Sequence, residues 1–146
     1  MVTVHWQEGL RFGADVPSGA PFVMDEYPED GATSLGPTPF EAFTASIAAC
    51  SAYDVMVVMA KKRQKVTSYR VEIEGDRGPS GVYPRPYTNL RLRHVLVGEG
   101  LDEAAVAQAV RLSDEKYCSC IATLRESPPV ESVFEIHEAA GAGTGP

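Results

Sequence analysis

The sequence predicts an α+β fold, because helix and strand signals form separate blocks along the chain. Residues 38–63 are rich in small and apolar side chains over the length of a long helix. Residues 69–74 alternate apolar and charged side chains, which is the period of a half-buried strand. Residues 101–112 repeat apolar side chains at helical spacing. The resulting order, with strands on both sides of the long helix, favours largely antiparallel pairing.

The N-terminal part reads as a hairpin or meander. Two short strands are predicted at residues 2–7 and 9–15, and a third near residues 21–25. Glycine, proline and acidic residues separate them. A polar loop over residues 27–37 leads to the long helix.

The start of the long helix is the best-marked boundary in the sequence. Thr38 is a suitable N-cap, Pro39 suits the first helical position, and Glu41 stands where a capping-box partner is expected. The helix is predicted to run to about Arg63, where a cluster of cations opposes the negative end of the helix dipole.

The second half of the chain continues the alternation of strand and helix. A long strand is predicted at residues 88–97, and Asp102 caps the helix that follows. A break at residues 113–117 precedes a short helical turn at 118–124, and a last strand is predicted at 130–136.

Length and charge limit the classes of protein. The 146 residues suit one domain, predicted over residues 1–138, with 139–146 as a disordered tail. The net charge of −7 without a broad basic face argues against nucleic acid. Residues 42–60 are nearly free of charge, but their Ala, Ser and Thr content and Asp54 favour a helix buried in a soluble core or dimer over a membrane span.

The cysteines point to a reducing compartment. There are three of them, an odd number, and the sequence shows no secretory leader pattern, so a disulfide framework is not expected. We therefore expect a cytoplasmic protein in which paired thiols have a redox or catalytic role.

Two segments carry the chemistry of interest. Cys50 lies among small and apolar residues in Ala45-Ser46-Ile47-Ala48-Ala49-Cys50-Ser51, and Cys118 lies in Lys116-Tyr117-Cys118-Ser119-Cys120. Residues 36–55 and 113–119 together resemble the OsmC/Ohr family of thiol-dependent peroxidases, and within it the OsmC-like, YhfA-type branch. The resemblance extends in element order over about residues 5–137.

This resemblance implies a fold, an assembly and a reaction. The OsmC-like fold is an intertwined homodimer with a long central helix from each subunit and two active sites at the interface. Cys50 matches the cysteine that attacks a hydroperoxide and Cys118 the one that resolves the product, while Arg11 and Glu41 are the nearest matches to an assisting pair. The implied partners are an organic hydroperoxide and a dithiol reductant, either lipoyl groups or small thiols, and neither a metal nor an organic cofactor is expected.

The chemistry requires a thiolate, because a thiol is a poor nucleophile and a free cysteine is mostly protonated at neutral pH. A buried guanidinium near the sulfur favours the charged form, and Arg11 is the candidate for this role. The sulfenic acid left on Cys50 would then condense with Cys118 to a disulfide.

Structural explanations compete with these roles. Cys50 could be a small buried side chain, and Arg11 could form a surface ion pair. Glu41 lies about 180° from Cys50 on a straight helix, so its capping role is a sufficient explanation. Asp54 shares the face of Cys50, where a carboxylate raises a thiol pKa.

Cys120 and the aromatic residues of the helix also have two interpretations each. Cys120 is expected to pack in the core, although it is a rival to Cys118 as resolving thiol. A metal site with it is not expected, because His5, His94 and His137 show no ligand spacing. Four further side chains are expected in the core or in the wall of an apolar pocket that would favour organic hydroperoxides, and they are Phe43, Ile47, Tyr53 and Met56.

The leading hypothesis is thus a cytoplasmic, homodimeric thiol peroxidase that binds neither nucleic acid nor membrane. The alternative is an OsmC-like redox-sensing or small-molecule-binding protein without efficient turnover. A thiol-dependent hydrolase or transferase is a third hypothesis, although no local Cys and His signature supports it.

Overall fold

A computed structural model describes residues 1–29 and 32–136 as two antiparallel sheets and three α-helices. The elements in chain order are β1 (Thr3–Glu8), β2 (Arg11–Asp15), β3 (Phe22–Met24), α1 (Pro39–Lys61), β4 (Lys65–Glu74), β5 (Arg91–Glu99), α2 (Glu103–Leu112), a π-helical turn (Ser113–Tyr117) and α3 (Ser119–Glu126). The predicted α+β class is confirmed, and so is the antiparallel pairing.

The N-terminal sheet has the strand order β1-β2-β3. Trp6 pairs with Phe12, which in turn pairs with Met24, so the three strands form a meander as the turn residues predict. Several large apolar side chains of this sheet stay exposed, Trp6 among them at 68%. The N-terminal sheet therefore does not bury its apolar surface within the single chain.

Helix α1 begins as the sequence predicts. The Thr38 hydroxyl accepts a hydrogen bond from the Glu41 N–H at 3.2 Å, and the Glu41 carboxylate accepts one from the Thr38 N–H at 2.8 Å. By length and composition alone, α1 could cross a membrane. However, β4 and α2 pack along it, as they would along the central helix of a folded domain.

The core lies between α1, α2 and the second sheet. Val55, Val58 and Met59 of α1 pack against Ala109 of α2, with side chains of β4 and β5 around them. In the second sheet, β4 pairs with β5 so that Tyr69 faces Leu96 and Val71 faces His94. This packing fixes α2 against the C-terminal half of α1, and with it the start of the chain that follows.

The C-terminal part differs from the prediction at one strand. The strand at 130–136 is wrong, because residues 127–136 form neither helix nor strand, and Val133 and Phe134 are each 86% exposed. Alternating apolar side chains make a strand only when a sheet edge is there to pair with. His137 and the tail at 139–146 lie outside the described residues.

Candidate active site

The two cysteines of interest are brought together by the packing of α1 against the segment that joins α2 to α3. Cys50 lies in the middle of α1, and Cys118 is the residue that precedes the first turn of α3. The π-helical turn ends with a hydrogen bond from the Cys118 N–H to the Ser113 carbonyl at 2.9 Å. This bond fixes Cys118 relative to the end of α2.

A buried pair of serines joins the two segments. Ser51 and Ser113 are both fully buried, and their hydroxyl oxygens are 2.9 Å apart. The Ser113 hydroxyl also lies 3.3 Å from the Ser51 carbonyl oxygen, to which it can donate. Because Ser51 directly follows Cys50, the serine pair holds the π-helical turn next to the cysteine of α1.

The resulting cluster contains two sulfurs and a carboxylate. The Sγ atoms of Cys50 and Cys118 and a carboxylate oxygen of Asp54 all lie within 4.8 Å of one another. Cys118 is buried at 2% exposure, whereas Cys50 is partly accessible. To form a disulfide, the two sulfurs would have to close from this separation to about 2.05 Å.

The surroundings of Cys50 favour its thiolate. Burial raises the pKa of Cys50, but the backbone N–H of Cys120 and the thiols of Cys118 and Cys120 donate toward the Cys50 sulfur. These donors outweigh burial and the repulsion from Asp54, so the pKa of Cys50 falls below its ordinary value. The sulfur thus faces the first turn of α3, where the helix dipole also favours negative charge.

The other two thiols show the opposite shift. Burial raises the pKa of Cys118 to about 11, and the bond that its thiol donates to Cys50 adds to the effect. Burial also raises the pKa of Cys120, as does its hydrogen bond to Cys50. The cluster therefore divides into one activated sulfur and two protonated thiols beside it.

An apolar cavity of about 780 Å³ adjoins this cluster. Ile47, one helical turn before Cys50, and Ile121, one turn after Cys118, both line it. Its other walls come from the segment before β5, from β5 itself, from α2 and from the π-helical turn, and include Leu92, Val110 and Asp114. An apolar ligand in this cavity would lie close to the sulfurs.

Residues assigned to a pocket wall from the sequence divide into two groups. Phe43 and Ile47 line the cavity. Tyr53 is not a core residue, being 72% exposed, and Met56 is also exposed. Both of these lie instead on an uncovered face of α1.

Arg11 and Glu41 are engaged away from the cysteines within the described chain. Arg11 pairs with Asp25 through its Nε at 2.9 Å and also contacts Glu8. Glu41 holds the N-terminus of α1, and its backbone and side-chain hydrogen bonds with Thr38 lower its pKa. The capping role of Glu41 is confirmed, while a catalytic role for either residue remains a prediction.

Three groups in or next to the site were not predicted from the sequence. The sequence placed Ser113 in a break between helices and in the segment that resembles the family, but gave no sign of its contact with Ser51. The hydrogen bond of the Cys120 N–H to Cys50 depends on how α3 docks on α1. His94 contacts the Tyr69 hydroxyl through Nδ1 at 2.6 Å, and its Nε2 is buried without a partner among the described residues. Ser51, a polar residue directly after Cys50 on an Ala-rich stretch, is a sequence signal that could have pointed to a buried hydrogen-bond partner.

The fold and the cluster define an α+β protein that holds paired thiols against a long central helix. Comparison with known proteins shows its family. A family model described as OsmC-like protein matches residues 30–133. The protein YhfA of Escherichia coli K12 is 35% identical over 133 residues, which cover 91% of this chain and 95% of that protein. The chain therefore belongs to the OsmC-like protein family.

Solved structures agree with this assignment. A hypothetical protein from Aquifex aeolicus VF5 superposes with a TM-score of 0.73 at 31% identity, covering 87% of each chain. An organic hydroperoxide resistance protein from Elizabethkingia anophelis superposes with a TM-score of 0.53 at 17% identity, covering 84% of this chain and 85% of that one. The second likeness, at this low identity, shows a shared fold.

Proposed function

We propose that this chain is a thiol-dependent peroxidase that reduces organic hydroperoxides in the cytoplasm. The observation that carries the proposal is the approach of the Cys50 and Cys118 sulfurs to within 4.8 Å, with Cys50 the more accessible of the two. The name of the Elizabethkingia anophelis protein, an organic hydroperoxide resistance protein, supports the same reaction class.

The reaction has three balanced steps. The Cys50 thiolate attacks the distal peroxide oxygen, the O–O bond breaks, and the alkoxide takes up a proton and leaves as an alcohol. The Cys118 sulfur then attacks the sulfenic acid on Cys50, which forms the disulfide and releases water. An external dithiol, either a lipoyl group or a pair of small thiols, reduces this disulfide and is itself oxidised.

The exposed apolar surface supports a homodimer. Large exposed apolar side chains lie on the N-terminal sheet, on the uncovered face of α1 and on residues 127–136. An isologous interface that covers these surfaces would give the intertwined dimer of the OsmC-like fold.

A dimer also offers a role for Arg11. The N-terminal sheet carries Arg11, and its strands contact mainly one another in the single chain. If the sheet packs on the partner subunit, the guanidinium of Arg11 reaches the partner's Cys50 and can hold the peroxide oxygens by hydrogen bonds. Arg11 is thus proposed to act across the interface, with Asp25 as the residue that orients it.

A redox-sensing or ligand-binding protein is the second candidate function. The observation that favours it is that, within one chain, Arg11 and Glu41 are held by other partners and do not contact Cys50. Such a protein would be oxidised once, or would retain a ligand in the cavity, without sustained turnover. Single-turnover and steady-state measurements separate the two functions.

The test replaces each of the three cysteines with serine, one at a time. Consumption of an alkyl hydroperoxide with excess dithiol is followed for the wild type, Cys50→Ser, Cys118→Ser and Cys120→Ser. We expect Cys50→Ser to abolish turnover and Cys118→Ser to stop at the sulfenic acid. Cys120→Ser retains the backbone N–H that faces Cys50 and should still form the Cys50–Cys118 disulfide, detected by mass spectrometry after one equivalent of peroxide. Undiminished turnover in Cys50→Ser would reject the proposal.

A further inference from the structure

We propose that the reduced protein binds one thiophilic divalent cation, with Zn²⁺ the best fit, through Cys50, Asp54 and Cys118. The sequence predicts no metal site, because the histidines lie at no ligand spacing from Cys118 and Cys120. The structure brings a different set of ligands together.

Two of the three ligands come from a single turn of α1. Cys50 and Asp54 are four residues apart, so both side chains lie on the same face of the helix. Helical metal motifs use the same i, i+4 spacing to supply two ligands from a rigid element. The third ligand, Cys118, directly precedes α3 and lies close to this pair.

The separations suit tetrahedral coordination. The three donor atoms lie within 4.8 Å of one another. Zinc binds sulfur at about 2.3 Å, which places two sulfurs about 3.8 Å apart in a tetrahedral site, and carboxylate oxygen at about 2.1 Å. The side chains therefore need to close by only a small amount around an ion.

Asp54 provides an independent indication of a ligand. Its Oδ2 is buried and has no hydrogen-bond partner among residues 1–29 and 32–136. A carboxylate oxygen without a partner in a buried place is unfavourable, because it has lost water and gained nothing in exchange. A cation held between the Asp54 carboxylate and the two sulfurs would compensate this group.

The donor set selects the class of ion. When the ion binds, the Cys118 thiol releases its proton to solvent. Two thiolates and one carboxylate suit Zn²⁺, whereas Mg²⁺ and Ca²⁺ prefer a full set of oxygen ligands. Three protein ligands leave the fourth tetrahedral position to a water molecule or an external thiol. A bound ion would occupy the lone pairs of both sulfurs and so protect them from electrophiles.

The experiment measures binding to the reduced protein without any peroxide. Equilibrium dialysis against Zn²⁺ gives the stoichiometry, and Co²⁺ in its place reports sulfur ligation through a thiolate-to-cobalt charge-transfer band. We expect one ion per wild-type chain and slower alkylation of Cys50 by iodoacetamide when Zn²⁺ is bound. Asp54→Asn and Cys50→Ala should each weaken binding by roughly tenfold or more.

Two control variants define the site. Cys120→Ser leaves all three ligands in place and should keep the stoichiometry and the cobalt band. His5→Ala removes the exposed His5 and Asp15 pair, which is another place where a zinc ion could settle, and should also leave binding unchanged. Circular dichroism of Asp54→Asn and Cys50→Ala confirms that each variant is folded before its affinity is interpreted.

Three results would overturn the proposal. One is a wild-type protein that retains no Zn²⁺ above background, and another is undiminished binding in Asp54→Asn and Cys50→Ala. The third is loss of binding in His5→Ala. None of these measurements depends on turnover of a hydroperoxide, so the metal site and the proposed peroxidase reaction stand or fail separately.

Discussion

The hydroxyl oxygens of Ser51 and Ser113 lie 2.9 Å apart in the buried interior. Ser51 directly follows Cys50, and Ser113 lies five residues before Cys118. Neither serine has chemistry of its own in the proposed reaction. Their hydrogen bond couples α1 to the π-helical turn, and this turn fixes the position of Cys118 through the Ser113 carbonyl. The distance between the two thiols therefore depends on a pair of serines beside them.

Replacing Ser113 with alanine should destabilise the protein and slow disulfide formation. The change leaves the buried Ser51 hydroxyl without its partner, which costs about 1–3 kcal/mol of unfolding free energy. Urea unfolding measures the stability, and quenched mass spectrometry measures the rate at which the Cys50–Cys118 disulfide appears. Ser68→Ala, on an exposed position of β4, is the matched control. Equal stability of Ser113→Ala and the control would contradict the coupling.

The pKa of Cys50 should respond in opposite directions to changes in its two neighbours. The Cys118 thiol donates to the Cys50 sulfur and lowers its pKa, so Cys118→Ala should move the midpoint of Cys50 alkylation to higher pH. Asp54 raises the pKa by repulsion, so Asp54→Asn should move that midpoint to lower pH. Iodoacetamide labelling of the Cys50 peptide as a function of pH, with a chelator present, measures both. Shifts of the same sign would contradict this description of the site.

The sequence predicted the elements better than their contacts. Local signals were sufficient for α1, because Thr38, Pro39 and Glu41 interact within one helical turn. The strand expected at residues 130–136 failed, because a strand depends on a pairing edge that local pattern does not reveal. The pairing of Cys50 with Cys118 came from a family resemblance, since two distant positions carry no local sign of contact. The contact of Ser113 with Ser51 and the hydrogen bond of the Cys120 N–H to Cys50 could not be predicted for the same reason.

Acid should remove the contribution of Asp25 to stability. Asp25 is buried and accepts hydrogen bonds from the Leu35 N–H at 3.1 Å and from Arg11 at 2.9 Å, and these bonds lower its pKa. The pKa of an aspartate in the unfolded chain is about 3.9. A carboxyl group whose pKa is lower than this in the folded protein stabilises the fold fully above the unfolded pKa. This contribution is lost as the pH falls from the unfolded pKa through the pKa of the folded state. Urea unfolding at neutral pH and near pH 3 should therefore show a smaller loss in Asp25→Asn than in the wild type.

The matched control for Asp25 is Glu126→Gln, which changes an exposed carboxylate at the end of α3. This variant should keep the pH dependence of the wild type. A wild-type protein and an Asp25→Asn variant that lose equal stability in acid would show that the buried carboxylate is not responsible for it.

A charge placed in the cavity should reduce the preference for apolar hydroperoxides. Leu124 lines the cavity from α3 and is partly exposed, so a lysine there is compatible with folding. Losing contact with about two methylene groups, at about 0.8 kcal/mol each, lowers kcat/KM for an arylalkyl hydroperoxide roughly tenfold. The rate with hydrogen peroxide should stay nearly constant. Leu35→Lys, on an exposed position outside the cavity, is the control, and an equal loss with both peroxides would argue against a binding role for the cavity.

Mixed dimers should show whether Arg11 acts across the interface. Cys50→Ser and Arg11→Ala homodimers are each expected to be inactive or nearly so. If Arg11 serves the partner's Cys50, a mixed dimer of the two variants contains one intact site, because its cysteine and its arginine come from different chains. Random exchange at equal concentrations should then restore about a quarter of the wild-type activity, since half of the dimers are mixed and each has one intact site. If Arg11 served the cysteine of its own chain, no mixed dimer would contain an intact site, and the activity would stay at the level of the separate variants.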